Sequence, residues 1–296
     1  MDVLRPADLP EALEMAAARP DARPLAGGTD VMVELNMRGR PPAAMLDLGR
    51  VGELARWGRD GDALWLGGGL THAQAVRDLG ALLPALAAAA RTVGSPQIRN
   101  RGTIGGNAGT ASPAGDALPA LYAMDALVRV ASSAGGERDV PIDDFVKAPR
   151  RTDLRPGELI TGFLVPAATG PQAFAKVGPR NAMVIAVCSF ALALRPGSRR
   201  VRGCAGSVAP TPLRVREAER FIEGVLDEHG LWDSRGPIPS AAFAEFGRLV
   251  AAATRPIDDV RGTAGYRAHA AGVIARRTLS WTWTEYRASA AQGGTS

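Results

Sequence analysis

The chain has 296 residues, 46% hydrophobic and 22% charged, enough to bury the core of one large or two medium domains. Its formal charge of +5 is almost all arginine, since lysine occurs only at Lys147 and Lys176. The short groups Arg99 with Arg101 and Arg199-Arg200 with Arg202 come without an aromatic ladder, so nucleic acid is excluded as the expected partner and a solvated basic surface is expected instead.

The chain opens with a β-α-β-like unit. A short alanine-rich helix is predicted over Glu11 to Arg19, ended by Pro20. A strand over Arg23 to Leu25, a Gly27-Gly28 turn, a helix over Val31 to Met37 and a return strand over Ala44 to Leu48 follow. A second unit starts near Gly52. Leu64 to Leu66 is a strand running into Gly67-Gly68-Gly69, and Thr71 with Gln74 three residues on forms a capping box. Leu82 to Arg91 reads as helix, and Thr92 to Asp116, rich in Gly, Asn, Ser and Pro, as a long functional loop. Strands are expected at Leu127 to Ala131, Val140 to Ile142 and Leu159 to Val165, then a linker from Pro166 to Pro171. Strand-like apolar runs at Ala173 to Val177, Ala182 to Leu194 and Val201 to Val208 precede helices at Arg216 to Leu226, Ser240 to Ala252 and Tyr266 to Trp283.

The Gly27-Gly28-Thr29-Asp30 segment joins a strand to a helix. Glycines there let backbone N–H groups approach a ligand, and N–H groups at a helix start suit an anion. A plain turn would read the same way. The segment is not a Rossmann fingerprint, and Gly67-x-Gly69 has His72 where a third glycine would stand. No Walker loop occurs, because neither lysine follows a glycine. Gly67 to Gly69 is taken as a strand end before a capped helix.

The stretch from Ser95 to Asp116 carries more. It offers backbone donors at Gly105 and Gly106, an amide at Asn107, hydroxyls at Thr103 and Ser112, and a carboxylate at Asp116. Diphosphate oxygens need donors, whereas sugar hydroxyls need an acceptor, so one segment supplying both suits a dinucleotide. A β-branched side chain at Gly106 is expected to block the diphosphate approach.

Cys188 and Cys204 are too few for an iron–sulfur cluster, which normally takes four thiolates, and His72, His229 and His269 are too dispersed for zinc. Electrons reaching this chain would come from another one. No apolar run approaches about eighteen residues, so no membrane span is expected. The start, Met1 to Pro6, lacks a secretory pattern, so a cytoplasmic location is expected.

The pairing of Ala26-Gly27-Gly28-Thr29-Asp30 with Gln97-Ile98-Arg99-Asn100-Arg101-Gly102-Thr103-Ile104-Gly105-Gly106-Asn107, trailed by Ala111-Ser112-Pro113-Ala114-Gly115-Asp116, resembles the FAD-binding medium subunit of the xanthine dehydrogenase and carbon monoxide dehydrogenase family of molybdenum hydroxylases. The match includes Phe174 to Gly178. The resemblance implies an α+β fold: FAD-binding subdomains of the vanillyl-alcohol oxidase type at 1–52 and 53–168, and a C-terminal α+β domain at 172–288. It implies that Leu25, Ala26, Gly27, Gly28, Thr29, Asp30 and Val31 embrace the diphosphate and adenosine. Val93, Gly94, Gly102, Thr103, Gly106, Asn107, Thr110, Gly115 and Asp116 would line the rest of FAD, with Ile160 near the ring system. Lys176 would supply a cation at the flavin, as a catalytic residue. Asp30 beside a diphosphate would be repulsive unless it points away, and the C-terminal domain lacks an obvious aromatic to cover the ring.

The implied function is electron transfer. A molybdenum–pterin large subunit would hydroxylate the substrate and an iron–sulfur small subunit with [2Fe–2S] clusters would relay electrons. FAD on this chain would pass them to NAD or another acceptor, in a unit nearer the purine-type members by the Thr29-Asp30 pair. The alternative is a self-contained flavin-dependent oxidoreductase on the same fold, whose base or covalent anchor would have to be His72.

Overall fold

The computed structural model describes residues 1–38, 41–167, 170–181 and 183–292. Asp8 opens helix α1 (Leu9–Ala18): its carboxylate accepts from the Glu11 N–H at 2.9 Å, and Pro10 sits in the first turn, where no N–H is needed. Strands β1 (Asp2–Leu4), β2 (Ala22–Leu25) and β3 (Ala44–Asp47) form a parallel sheet of order β1-β3-β2, with helix α2 (Val31–Arg38) between β2 and β3. At three residues, β1 is too short to show a pattern in sequence. Ala12, Ala16, Leu46, Val51, Leu54 and Leu159 make the small core beneath this sheet.

The second sheet is antiparallel and holds β4 (Trp57–Asp60), β5 (Ala63–Gly67), β6 (Leu127–Ser132) and β7 (Gly136–Pro141). The hairpin of β8 (Val146–Ala148) and β9 (Arg151–Thr152) stands beside it, and β10 (Leu159–Pro166) completes it. The order is β4-β5-β10-β6-β7, so the last strand in sequence lies at the centre. Between β5 and β6 come α3 (His72–Asp78), α4 (Pro84–Arg91), α5 (Pro96–Arg101), α6 (Ile104–Thr110) and α7 (Ala117–Ala123); α8 (Ile142–Phe145) follows β7. The capping box at α3 forms as expected: the Thr71 hydroxyl accepts from the Gln74 N–H at 3.2 Å, and the Gln74 carbonyl accepts from the Thr71 N–H at 2.9 Å.

Two expectations change. Thr92 to Asp116 is not one long loop, because α5 and α6 occupy it; Ser95 and Thr103 cap them, and tertiary packing outweighs the poor helix propensity of Ile104-Gly105-Gly106-Asn107. Ile142 is not strand: Pro141 ends β7 and α8 starts at once.

The third sheet contains β11 (Gln172–Val177), β12 (Cys188–Arg195), β13 (Arg200–Gly206) and β14 (Leu213–Arg214), antiparallel in that order. Helices α9 (Arg216–Glu228), α10 (Leu231–Ser234), α11 (Ser240–Ala253) and α12 (Ala264–Gln292) follow. The two-residue period of a strand explains why β12 is buried throughout. Phe190, Leu192 and Leu194 enter the core built with α9, α11 and α12. Ala191 and Ala193, with Cys204 opposite Ala191, face α4 and α7 in the other core, and their small size lets the helices approach. One sheet thus serves two cores. Of the expected linker, Pro166 ends β10, while residues 168 and 169 lie outside the described residues. Ala182, where a strand was expected to start, also lies outside them, and β12 begins only at Cys188.

Arginine is largely spent on carboxylates. Arg214, almost fully buried, reaches Glu219 at 3.1 Å and Asp125 at 2.7 Å, tying the end of α7 to the third sheet. Arg199, Arg200 and Arg202 pair with Asp233, Glu223 and Asp125. Among the described residues, no helix is long and apolar enough to cross a membrane, and no group of three or more His, Cys, Asp or Glu side chains is placed to hold a metal ion.

Candidate functional site

A cavity of about 800 Å³ runs between the first two sheets and the segment before β12. Its first wall is the β2–α2 connection. Gly28 has φ +76°, which turns the chain from strand to helix. The N–H groups of Gly27, Gly28, Thr29, Asp30 and Val31 carry no hydrogen bond to protein among the described residues, a row of donors at the start of α2. Gly27 lies against the second loop so closely that a Cβ there would stand 1.9 Å from the Arg101 carbonyl oxygen.

The second wall is α5 and α6. The Thr103 hydroxyl caps α6 by accepting from the Gly106 N–H at 2.9 Å. The Gly105 N–H donates to the Gly68 carbonyl at 2.9 Å, an approach that needs glycine at 105, since a Cβ there would meet that oxygen at 2.4 Å; a Cβ on Gly68 would meet the Ile160 carbonyl oxygen at 2.7 Å. A bulge in β10 between Ile160 and Gly162 leaves the Thr161 carbonyl to accept from the Gly68 N–H at 2.8 Å. The Gly67-Gly68-Gly69 run is therefore a crossing point of three backbones, and Gly68 and Gly69 themselves line the cavity. Asp30 points at α6, where its carboxylate accepts from the Thr110 hydroxyl at 2.9 Å. Its charge ties the two loops together rather than capping α2. Asn107 accepts from the Ala117 N–H at 3.3 Å, and Arg99 donates to the carbonyls of Val93 and Gly94 at 3.0 Å each, fixing the turn ahead of α5.

Asp116 forms part of the wall and is buried. Lys176 on β11 reaches its Oδ2 at 2.6 Å and the Thr92 carbonyl, at the end of α4, at 3.2 Å. Lys176 is therefore not in the cavity lining: its charge is seated behind Asp116 and on the negative end of a helix. The resemblance expects Lys176 at the flavin; among the described residues its ammonium contacts Asp116 and Thr92. The other oxygen, Oδ1, is sealed from water with no partner in the protein. Burial raises the carboxyl from 3.8 to about 6, with Lys176 opposing the rise. With the folded value above the unfolded one, the native state holds the extra proton between them. The stability this group contributes is therefore full below pH 3.8 and lost as pH rises through about 6. Carbon-13 NMR of the Asp116 carboxyl is expected to show a midpoint near pH 6; a midpoint below the ordinary value would mean that Lys176 outweighs burial.

Of the residues expected at the site, Ala26 to Val31, Val93, Gly94, Gly102, Thr103, Gly106, Asn107, Thr110, Gly115, Asp116 and Ile160 all line the cavity. Leu25 does not, because it is the last residue of β2, where its carbonyl accepts from the Leu48 N–H. Sequence reasoning missed Leu48, Leu54 and the stretch Met183-Val184-Ile185 in the wall, and raised His72 there only for the alternative reading. Only the glycine triplet before Thr71 signalled that this corner was crowded. Both cysteines are buried thiols: burial pushes Cys188 up to about 12 and Cys204 well above its usual range, so neither is a ready ligand or nucleophile.

The donor row fits a group carrying phosphates, and the cavity has the size of a cofactor site. Comparison with known proteins agrees. The family described as "FAD binding domain in molybdopterin dehydrogenase" matches residues 1–168, and "CO dehydrogenase flavoprotein C-terminal domain" matches residues 173–282. The glyceraldehyde dehydrogenase medium chain of Sulfolobus acidocaldarius is 30% identical over 284 residues, 93% of this chain and 96% of that one. The carbon monoxide dehydrogenase medium chain of Afipia carboxidovorans is 32% identical over 269 residues, 88% of each. The structure of carbon monoxide dehydrogenase from Hydrogenophaga pseudoflava superimposes with a TM-score of 0.87 at 28% identity, covering 97% of this chain and 98% of that one. The chain belongs to the family of FAD-binding subunits of molybdopterin-dependent dehydrogenases and is an oxidoreductase subunit.

Proposed function

We propose that this chain holds FAD in the cavity between its glycine loops and serves as the electron-transfer subunit of a molybdenum hydroxylase, between an iron–sulfur partner chain and NAD or another acceptor. One observation carries the reading: a row of unbonded N–H groups from Gly27 to Val31 lines a cavity of cofactor size that also has Asp116 in its wall. The N–H row would take the diphosphate, and Asp116, paired with Lys176, would set the charge of the wall beside it. Thr103 and Asn107 hold the α6 backbone in place, and the Asp30–Thr110 bond keeps the two walls at a set spacing. Met183, Val184 and Ile185 supply an apolar surface where no Phe, Tyr or Trp side chain lines the cavity among the described residues. FAD, when bound, supplies the exchange between one- and two-electron carriers. The clusters and the molybdenum–pterin centre belong on partner chains, since both cysteines here are buried apart from the cavity.

The test is reconstitution. The purified full chain incubated with FAD and desalted is expected to stay yellow, with about one flavin per chain. A colourless protein would overturn the reading. Anaerobic NADH is expected to bleach the bound flavin, and a flavin reducible by dithionite but not by NADH would assign the acceptor elsewhere.

A further inference from the structure

His72 stands in the cavity wall with one ring nitrogen unaccounted for. It is the first residue of α3, and its main-chain N–H donates to the Gly102 carbonyl at 2.9 Å, which pins the imidazole against the second loop. A Cβ built on Gly102 would lie 3.2 Å from His72 Cδ2 and 3.4 Å from the Thr29 hydroxyl. The imidazole, Gly102 and Thr29 therefore share one corner of the wall, beside the unbonded N–H row. The residue is only 2% exposed, yet it is part of the cavity wall. Nδ1 is sealed from water and has no partner; Nε2 is not sealed and has no protein partner among the described residues.

Burial, aided by the Arg99 guanidinium, pushes the imidazole down to about 4, so it is neutral under working conditions. A neutral imidazole carries one N–H. On Nδ1 that hydrogen would be a buried donor with nothing to bind, the costlier defect; on Nε2 it leaves only an unfilled lone pair on the sealed side. The tautomer is thereby chosen by the packing, and the donor is left on the nitrogen that is not sealed.

We propose that His72 is a further cofactor-binding residue: as the Nε2–H tautomer it donates a hydrogen bond from the cavity wall to a diphosphate oxygen of FAD, beside Thr29. The proposal rests on the reading that this cavity holds FAD. A positively charged donor is not required, because the helix start and the N–H row already oppose the phosphate charge. The imidazole adds direction at a point the backbone does not reach.

The experiment is a titration of the full-length chain with FAD, followed by flavin fluorescence, for wild type and three variants checked for folding by circular dichroism. His72→Phe keeps a ring without a donor and is expected to weaken FAD binding about 10- to 100-fold. His72→Gln places an amide N–H near the imidazole Nε2 and is expected to restore binding. His72→Asn places it near Nδ1 and is expected to resemble the Phe variant. Should His72→Phe not fold, the Gln and Asn pair still decides, because equal affinities for those two overturn the proposal. Nitrogen-15 NMR of the imidazole is expected to show the Nε2–H tautomer from pH 6 to 8, with that proton shifting when FAD is added. An Nδ1–H tautomer, or His72→Phe binding FAD as wild type does, sinks the role of His72. Failure of the wild-type chain to bind FAD would instead sink the cavity assignment.

Discussion

Gly27→Ala is expected to leave the purified chain unable to retain FAD. The added Cβ would lie 1.9 Å from the Arg101 carbonyl oxygen, 2.5 Å from its carbon and 2.9 Å from the Gly102 Cα. All three are backbone atoms with nowhere to go. The Gly102 N–H is held by the Ile98 carbonyl at 2.7 Å, and the Gly102 carbonyl is held by the His72 N–H at 2.9 Å. The first loop must therefore move, and the donor row moves with it. Overpacking of this kind costs about 1–3 kcal/mol, and misaligned donors lose affinity besides, so FAD binding is expected to weaken by about 100-fold or more. Two controls separate the causes. Gly28→Ala meets nothing nearer than 3.5 Å but must hold φ +76°, a strain of about 1–2 kcal/mol without a clash. At Gly106, at first sight the more sensitive position, an added Cβ meets only the Thr103 hydroxyl at 2.9 Å, so Gly106→Ala is the milder change. That hydroxyl can rotate away at the cost of a helix cap, about 1 kcal/mol. Normal flavin content in Gly27→Ala, with an unchanged circular dichroism spectrum, would show that the two loops are not in the contact described.

Lys176→Met is expected to destabilise the chain by about 3 kcal/mol or more, the usual loss when one partner of a buried ion pair is removed. Lys176 and Asp116 have side chains only 6% and 10% exposed, so water cannot take over the missing contact. Asp116 would then keep its proton well past neutrality, and its carboxyl would turn from acceptor to donor toward the cavity. The double variant Lys176→Met with Asp116→Asn is expected to recover most of the stability, because no buried charge is left, but not the affinity for FAD. Urea denaturation without FAD reads the first effect, and flavin titration reads the second. A single variant as stable as the wild type would mean that the pair contributes nothing to folding.

Local rules in the sequence located the walls of the site but not their assembly. The Thr71–Gln74 capping box and the turn at Gly28 depend on neighbours within a few residues, so both were legible. Helix α6 was not, because Ile104-Gly105-Gly106-Asn107 has little helical preference of its own. It forms because Gly105 can touch Gly68, a partner outside its own segment. Lys176 shows the same limit. Its ammonium meets Asp116 and Thr92, partners 60 and 84 residues away, and only the three-dimensional path of β11 past the end of α4 reveals this. His72 was legible only as the base or covalent anchor that a self-contained flavin oxidoreductase would need. Its ring nitrogens matter because of what surrounds them, and no spacing in the chain records that.

The central position of β10 bears on how the chain is made. β5 and β6 are both complete by residue 132, yet neither touches the other; each pairs with β10, which begins at Leu159. While the ribosome works through the intervening residues, two apolar strand edges wait side by side without their mate. The cavity waits as well, since Thr161 on β10 is what holds Gly68 in place. Closure of that sheet is a late, long-range event of the slow kind. A nascent chain stopped before residue 159 would be a substrate for chaperones rather than a smaller flavoprotein, and cofactor capture belongs after synthesis of the first half is finished.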